Sequence, residues 1–338
     1  MTVDLRSDTV TRPTPEMLQA MMRAKTGDDV FGEDPSVNEL EAITAAMFGM
    51  EEALYCPTGT MSNQTAIRCH TQPGDEVICD KMAHVYMYEG GGIAANSGSQ
   101  VRAIQGDHGR ITARQVAECI NPDDVHKART SLVCLENTSN RGGGSRYDIG
   151  EIKKIRTLCD LNHLKLHLDG ARLFNAMVAG NESPRQYGEL FHTISICLNK
   201  GLGCPIGSVL LGPAAFIKRA RRVRKVFGGG MRQAGFMAAA GIYALSHHVS
   251  RLAEDHWHAG LLAAAWAKKS FVEDILPVET NIVIFRLDPS YPAPELAARL
   301  RQGGVLAIAI STQEMRMVTH LDVNPAGVEH VIKVIDSL

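Results

Sequence analysis

Two short stretches carry residues whose types and spacing could do chemistry. In His167-Leu-Asp-Gly-Ala-Arg172 an apolar run over 165–168 ends at an aspartate. In Ile194-Ser-Ile-Cys-Leu-Asn-Lys-Gly-Leu-Gly-Cys-Pro-Ile-Gly207 a second apolar run ends at Lys200 and a glycine-rich turn follows. Each has an ordinary structural reading: Asp169 as a helix N-cap, Lys200 as a solvated strand end. Open α/β sheets, however, bind ligands beyond the carboxyl ends of their parallel strands. An acid and a glycine-flanked lysine at successive strand ends would share one crevice. A lysine amine condenses with an aldehyde, and a carboxylate keeps a pyridine nitrogen protonated so that the ring can accept electrons. The pair therefore suits pyridoxal phosphate (PLP). Pro57-Thr-Gly-Thr60 supplies a third element between an apolar run and a helical segment. It could present backbone N–H groups to a phosphate, or be a plain strand-to-helix turn.

The elements that must position these residues follow from periodicity. Strands are predicted at 53–56, 76–79, 131–135, 165–168, 193–198 and 208–211, alternating with helical segments. Several are apolar without alternation, as in strands covered on both faces of a largely parallel sheet. This is an α/β pattern. The first 35 residues read as an irregular arm. Ser36-Val-Asn-Glu39 is a capping-box pattern ahead of Leu40, Ile43, Met47 and Met50 at helical spacing. Helices are predicted over 231–248 and 251–273, then a strand at 281–285, a helix at 292–301, two more strands and a C-terminal helix. The expected organisation is a large domain with its arm at 1–248 and a small α+β domain at 249–338, joined through continuous helix.

Composition excludes several classes. A formal charge of −2 on 338 residues gives no reason to expect nucleic acid or an anionic membrane as a partner. Only 218–225 is strongly basic, and Lys218, Arg219, Arg221 and Arg222 read as a solvated helix face. No apolar stretch is long enough to span a bilayer, and MTVDLRSDTV lacks a signal-peptide pattern. The eight cysteines (Cys56, Cys69, Cys79, Cys119, Cys134, Cys159, Cys197, Cys204) form no C-x-x-C pair, which argues against a disulfide framework or a zinc site. The chain reads as cytoplasmic and reduced, with no metal.

A wider set of blocks resembles the low-specificity L-threonine aldolase family. They are Asp4-Leu-Arg-Ser-Asp-Thr-Val-Thr-Arg-Pro13, Gly27-Asp-Asp-Val-Phe-Gly-Glu-Asp-Pro35, Pro57–Thr60, Glu136-Asn-Thr138 and His167–Arg172. Lys200-Gly-Leu-Gly203, Gly228-Gly-Gly-Met-Arg-Gln-Ala-Gly235 and Val318-Thr-His-Leu-Asp322 complete the set, in family order along essentially the whole chain. The resemblance implies the aspartate-aminotransferase-like fold (fold type I): a large domain on a mostly parallel, seven-stranded-type sheet plus a smaller C-terminal domain. It also implies a homotetramer with active sites at a dimer interface, and retro-aldol cleavage of L-threonine or L-allo-threonine to glycine and an aldehyde. Such a lyase belongs to threonine breakdown and glycine formation.

By the same resemblance Lys200 carries PLP, Asp169 pairs with the pyridine nitrogen, and Thr58, Gly59 and Thr60 hold the phosphate. His84, in Ala83-His-Val-Tyr-Met-Tyr-Glu89, matches the imidazole that stacks on the cofactor ring, with Tyr88 packing close by or against a neighbouring subunit. Ser7, Arg172 and Arg316 match the groups that hold the substrate carboxylate; an arginine fork can bind both oxygens in one plane. His126, in Asp123-Asp-Val-His-Lys-Ala-Arg129, matches a histidine near the substrate side chain. It would act as a base for the β-hydroxyl or as a pocket wall that sorts β-stereochemistry. Lys225 and Arg232 match a basic pair near the site, Arg232 being placed to reach the phosphate. Three positions depart from the family pattern: Asn199 for a common serine, Ser139 for a frequent histidine and Phe31 for a frequent tyrosine. β-Elimination, racemisation and transamination would use the same lysine and aspartate. A non-catalytic PLP-binding or PLP-free interaction protein is at odds with the intact lysine, aspartate and arginines.

Overall fold

The apolar runs do become buried strands, and the computed structural model describes residues 1–338. The strands are β1 (Val3–Asp4), β2 (Glu52–Cys56), β3 (Glu76–Asp80), β4 (Gln100–Ile104), β5 (Thr130–Glu136), β6 (Lys165–Gly170) and β7 (Thr193–Cys197). They continue with β8 (Ser208–Gly212), β9 (Val272–Ile275), β10 (Ile282–Leu287), β11 (Val305–Leu306), β12 (Ile308–Ala309) and β13 (Glu314–Val318). The helices of the first part are α1 (Pro15–Met22), α2 (Pro35–Phe48), α3 (Gly59–His70), α4 (His84–Met87), α5 (Gly92–Ser97), α6 (Ala113–Cys119) and α7 (Ile149–Leu161). Then come α8 (Leu173–Gly180), α9 (Pro184–Leu190), α10 (Ala214–Val226), α11 (Gly235–His247), α12 (Leu252–Trp266), α13 (Ala293–Gln302) and α14 (Pro325–Asp336).

Seven strands form the main sheet in the order β2-β8-β7-β6-β5-β3-β4. β4, β3, β5, β6 and β7 are mutually parallel, and β8 runs against both β7 and β2. The reversal has a local cause. A parallel return needs a crossover of a dozen residues or more, whereas β7 and β8 are joined by a tight glycine turn in which Gly203 and Gly207 take positive φ. Lys200 sits in that turn, at the carboxyl edge of the sheet. β3, β5, β7 and β8 are buried at every residue, which is why they read as unbroken apolar runs. β4 is an edge strand with Gln100 and Arg102 facing outward, so its sequence carries no such signal.

A second sheet, β12-β13-β10-β9, is antiparallel and packs against α12 and α13, with α14 laid on α12. Its core holds Trp266, Phe285, Met315, Met317 and Val331. The arm departs from the 1–248 assignment: Val3 and Leu5 bury into this second core, and β1 pairs with β11. Other expectations are corrected as well. The arm contains a helix, α1, capped by Thr14 with Pro15 at its first turn. α2 is capped by Asp34 with Pro35 following, and the Ser36 hydroxyl donates instead to the Lys25 carbonyl. α11 starts at Gly235 because 228–234 is irregular, and α11 and α12 are separate helices, not one continuous link. The helix expected to run to 273 stops at Trp266, and Val272–Ile275 form β9, paired with β10. No helix is long and apolar enough to cross a membrane.

Candidate active site

The sheet brings the two diagnostic residues to one edge. Asp169 is the penultimate residue of β6, flanked in register by Glu136 of β5 and Ser195 of β7. Lys200 lies three residues beyond β7, its Nζ 3.2 Å from Cys197 Sγ. Burial pushes the Cys197 thiol up, so the sulfur is a neutral neighbour of the amine near pH 7. Asp169 does not cap α8, whose N-cap is Arg172. Its Oδ1 accepts from the Ala171 N–H at 3.1 Å and its Oδ2 accepts from Asn63 Nδ2 at 3.0 Å.

The α3 N-terminus completes the edge. Thr58 caps it by accepting from the Met61 N–H at 3.1 Å, so the Gly59 and Thr60 N–H groups have no partner within the helix. Such a helix end attracts a phosphate. A Cβ at Gly59 would lie 2.6 Å from Cys197 Sγ, so only glycine lets this end approach the lysine turn so closely. A half-buried amine, a buried carboxylate and a free helix end within one crevice fit an aldehyde-bearing pyridine with a phosphate arm. Asn199, half-buried beside Lys200, makes no side-chain hydrogen bond to the protein.

His84 starts α4 against the same edge. Its N–H donates to Glu136 Oε2 at 2.8 Å, and its Nδ1 lies 3.0 Å from Glu89 Oε1. Burial disfavours the imidazolium, but Glu89, Asp169 and Glu136 outweigh it and raise the histidine above its ordinary value. Burial, and then Asp169, push the Glu136 carboxyl up to about 7. Ligand atoms of His84, Glu89 and Asp169 lie within 4.8 Å of one another, a spacing a cation could use. Asn63 Nδ2, however, donates to both carboxylates. Tyr88 stands 5.8 Å from the His84 ring and is half-exposed.

The two arginines expected to share one task are in different states. Arg172 is buried and forked onto Asp8, Nε to Oδ2 at 2.6 Å and the second contact to Oδ1 at 2.7 Å. The Nε and Nη2 side of its fork is already occupied by protein, while Nη1 makes no hydrogen bond to the chain. Arg316, on β13, has no acidic partner. It donates to Asn140 Oδ1 at 2.9 Å and to the Arg6 carbonyl at 3.1 Å, and its Nε is buried without an acceptor. Burial, with Arg172 nearby, pulls its pKa down to about 10. It is a cation lacking an anion. The Ser7 hydroxyl is taken up in its own turn, accepting from the Thr9 N–H and hydroxyl at 3.3 and 2.9 Å.

Three expected site residues make their side-chain contacts apart from Lys200 and Asp169. His126 precedes β5 by four residues, at the opposite edge of the sheet from Glu136; a strand of this length spans roughly 20 Å. It is exposed and pairs with Asp124 at 2.8 Å. Arg232 is committed to Asp28 at 2.7 Å, and Lys225 lines a cleft of about 410 Å3 with Val30, Phe31 and Arg224. Ser139 is buried in a turn, accepting from the Gly142 N–H at 3.2 Å, with Gly109 packed against it. Asp8, Asn63, Gln64, Glu89 and Glu136 were not anticipated. One signal was available: Ser62-Asn-Gln-Thr65 is a polar run in a helix turn that is wholly buried.

Fold and edge geometry together define a PLP-dependent enzyme of fold type I. The chain matches the family described as Beta-eliminating lyase over residues 4–289. It is 43% identical over 326 residues to the low specificity L-threonine aldolase of Escherichia coli K12, covering 95% of each chain. It is 41% identical over 301 residues to the low specificity L-threonine aldolase of Saccharomyces cerevisiae, covering 88% of this chain and 77% of that one. A threonine aldolase structure from Leishmania major superposes with a TM-score of 0.86 at 20% identity, covering 99% of this chain and 98% of that one, and so shares the fold. The chain belongs to the low-specificity L-threonine aldolase family and is a PLP-dependent lyase.

Proposed function

We propose that this chain cleaves L-threonine and L-allo-threonine to glycine and acetaldehyde, and that Arg316 is the principal anchor of the substrate carboxylate. The unpaired Arg316 guanidinium carries this reading, because an amino-acid carboxylate supplies the anion it lacks. PLP, when bound, supplies the electron sink for the pair left at Cα as the Cα–Cβ bond breaks.

The protein does the rest. Lys200 Nζ would hold the cofactor's aldehyde carbon, Asp169 would pair with its ring nitrogen, and the Gly59 and Thr60 N–H groups with Thr58 would cradle its phosphate. Arg316, fixed by Asn140 and Arg6, would hold the substrate by its carboxylate and so set which bond to Cα is aligned for cleavage. Arg172, neutralised by Asp8, stiffens the floor beneath it. His84 Nε2 has no protein partner, and we assign it the β-hydroxyl proton. Three carboxylates raise its proton affinity, so it is a stronger base than free imidazole, and activity is expected to rise with pH through its titration.

His126, Lys225 and Arg232 are read as acting on a neighbouring copy's site, in a homotetramer with shared active sites. Exposed apolar residues beside them support this: Val125 next to His126, and Val30, Phe31 and Val226 next to Lys225. We place the enzyme in the cytoplasm, in glycine formation from threonine. The test is to supply L-threonine and L-allo-threonine and measure acetaldehyde, glycine, ammonia and keto acid. Aldehyde and glycine in equal amounts are expected, and Lys200→Ala should abolish both the visible cofactor absorbance and aldehyde release. Ammonia or keto acid as the main product would overturn the assignment, as would turnover retained without Lys200.

A further inference from the structure

We infer that Glu89 is a positioning residue that fixes the ring of His84 and decides which of its nitrogens carries the exchangeable proton. The inference rests on the placement of His84 at the cofactor and adds an acid acting through it. Glu89 follows α4 by two residues, and its side chain is fully buried. It makes no ion pair with lysine or arginine; its one basic neighbour is His84. Its Oε1 accepts from Asn63 Nδ2 at 2.9 Å and its Oε2 from Gln64 Nε2 at 2.6 Å, while His84 Nδ1 lies 3.0 Å from Oε1.

The surroundings leave these groups one arrangement. Asn63 Oδ1 pairs with His167 Nε2 at 3.2 Å and its Nδ2 also reaches Asp169 Oδ2, so the amide cannot turn its oxygen towards the carboxylates without losing both contacts to them. An ionised carboxylate only accepts, so Nδ1 of His84 must carry the hydrogen it shares with Glu89. Nε2 is then the nitrogen that gains and loses a proton. The same logic orients catalytic imidazoles whenever a buried acid stands behind them. Gly92 belongs to the device: a Cβ there would lie 2.6 Å from Gln64 Cδ, so the chain can close over Gln64 only with glycine at the start of α5.

The charged groups facing the imidazole are Glu89, Asp169 on β6 and Glu136 at the end of β5. Only Glu89 bonds to the ring; Glu136 bonds to the backbone N–H of His84. Exchanging the Glu89 charge for a neutral amide keeps an acceptor at Nδ1 but removes the pull on the imidazolium. A buried acid that served the fold alone would destabilise the protein without reference to His84.

The experiment uses PLP-loaded protein and a double-mutant cycle. Glu89→Gln should move the rise of kcat/KM down by about one pH unit, a shift of roughly tenfold in imidazole basicity, and Glu89→Asp should restore it most of the way. Glu89→Leu should raise the PLP dissociation constant, measured by absorbance titration, about tenfold in the wild-type background and not at all in His84→Asn. The isosteric Glu89→Gln carries the test if the leucine variant does not fold. A Glu89→Gln profile superimposable on wild type would overturn the proposal, as would equal loss of PLP affinity in both backgrounds. His84→Asn alone reports on the earlier assignment. If it leaves turnover and its pH profile unchanged, that assignment fails and takes this one with it.

Discussion

Arg172 and Arg316 should respond to the same substitution in opposite ways. In the fold the pKa of Arg316 falls from its ordinary value to about 10, because burial and then Arg172 oppose its charge. At about 1.4 kcal/mol per pKa unit this is on the order of 3 kcal/mol against the folded state. The sign follows from linkage: the unfolded chain binds this proton more tightly, so the penalty is complete below pH 10 and fades only above it. The hydrogen bonds to Asn140 and Arg6 return about 1 kcal/mol each. Arg316→Met is therefore expected to leave the fold as stable as wild type, or more stable by about 1 kcal/mol. It should also remove two charge-assisted bonds to the substrate carboxylate, each worth about 1.5–3 kcal/mol, and so lower kcat/KM by about 10²–10⁴-fold. Bound PLP should be retained.

Arg172→Met instead strands Asp8, wholly buried and held in its charged form by that arginine against the cost of burial. Breaking a buried pair from one side costs about 3–5 kcal/mol. Thermal and urea unfolding of the loaded enzymes give the stability arm, and a coupled aldehyde assay gives the kinetic arm. If Arg316→Met destabilises as much as Arg172→Met, or leaves the KM for threonine unchanged, the division of labour drawn from the ion pairing is wrong.

Two further outcomes test other parts of the site. Gly59→Ala should weaken PLP binding at least tenfold, because the new methyl would meet Cys197 Sγ at 2.6 Å, and adding Cys197→Ala should recover most of the loss; a titration showing no recovery would remove the steric argument. His167 is buried and neutral, its pKa lowered to about 4 by desolvation, so the unfolded chain takes up a proton near pH 6.5 that the folded chain refuses. Stability should fall as pH drops from 6.5 towards 4, with on the order of 2 kcal/mol lost through this residue between pH 7 and pH 5. Urea unfolding of His167→Gln should show a correspondingly smaller loss over that interval, and an equal loss would show that the imidazole is protonated in the fold.

The chemistry-bearing residues that were legible in the sequence share one property: each stands where an element ends. Asp169 is the penultimate residue of β6, Lys200 follows β7 into a glycine turn, and Thr58 caps α3. Strand ends and helix starts are written locally, in apolar runs, caps and glycines, so their chemistry can be read from neighbours in sequence. The fold class was legible for the same reason, since unbroken apolar strands alternating with helices admit few other architectures. The exceptions were weakly written elements: β4 exposes its polar side chains at the sheet edge, and the second helix gave way to β9 where pairing with β10 outweighed helical spacing.

What tertiary structure decided is which partner each polar group meets. Arg172 and Arg316 look alike in sequence, yet Asp8, 164 residues from Arg172 along the chain, occupies one and leaves the other free. Asn63 and Glu89 read as unremarkable until Asn63 is seen bridging to Asp169, 106 residues away. His126 carries a family motif but stands at the wrong edge of the sheet for its own site, because the direction of β5 places it there. Hydrogen bonds and ion pairs act over about 3 Å in space, whatever the separation along the chain, so residue identity announces the capacity for a contact and only strand register and helix packing assign the contact itself.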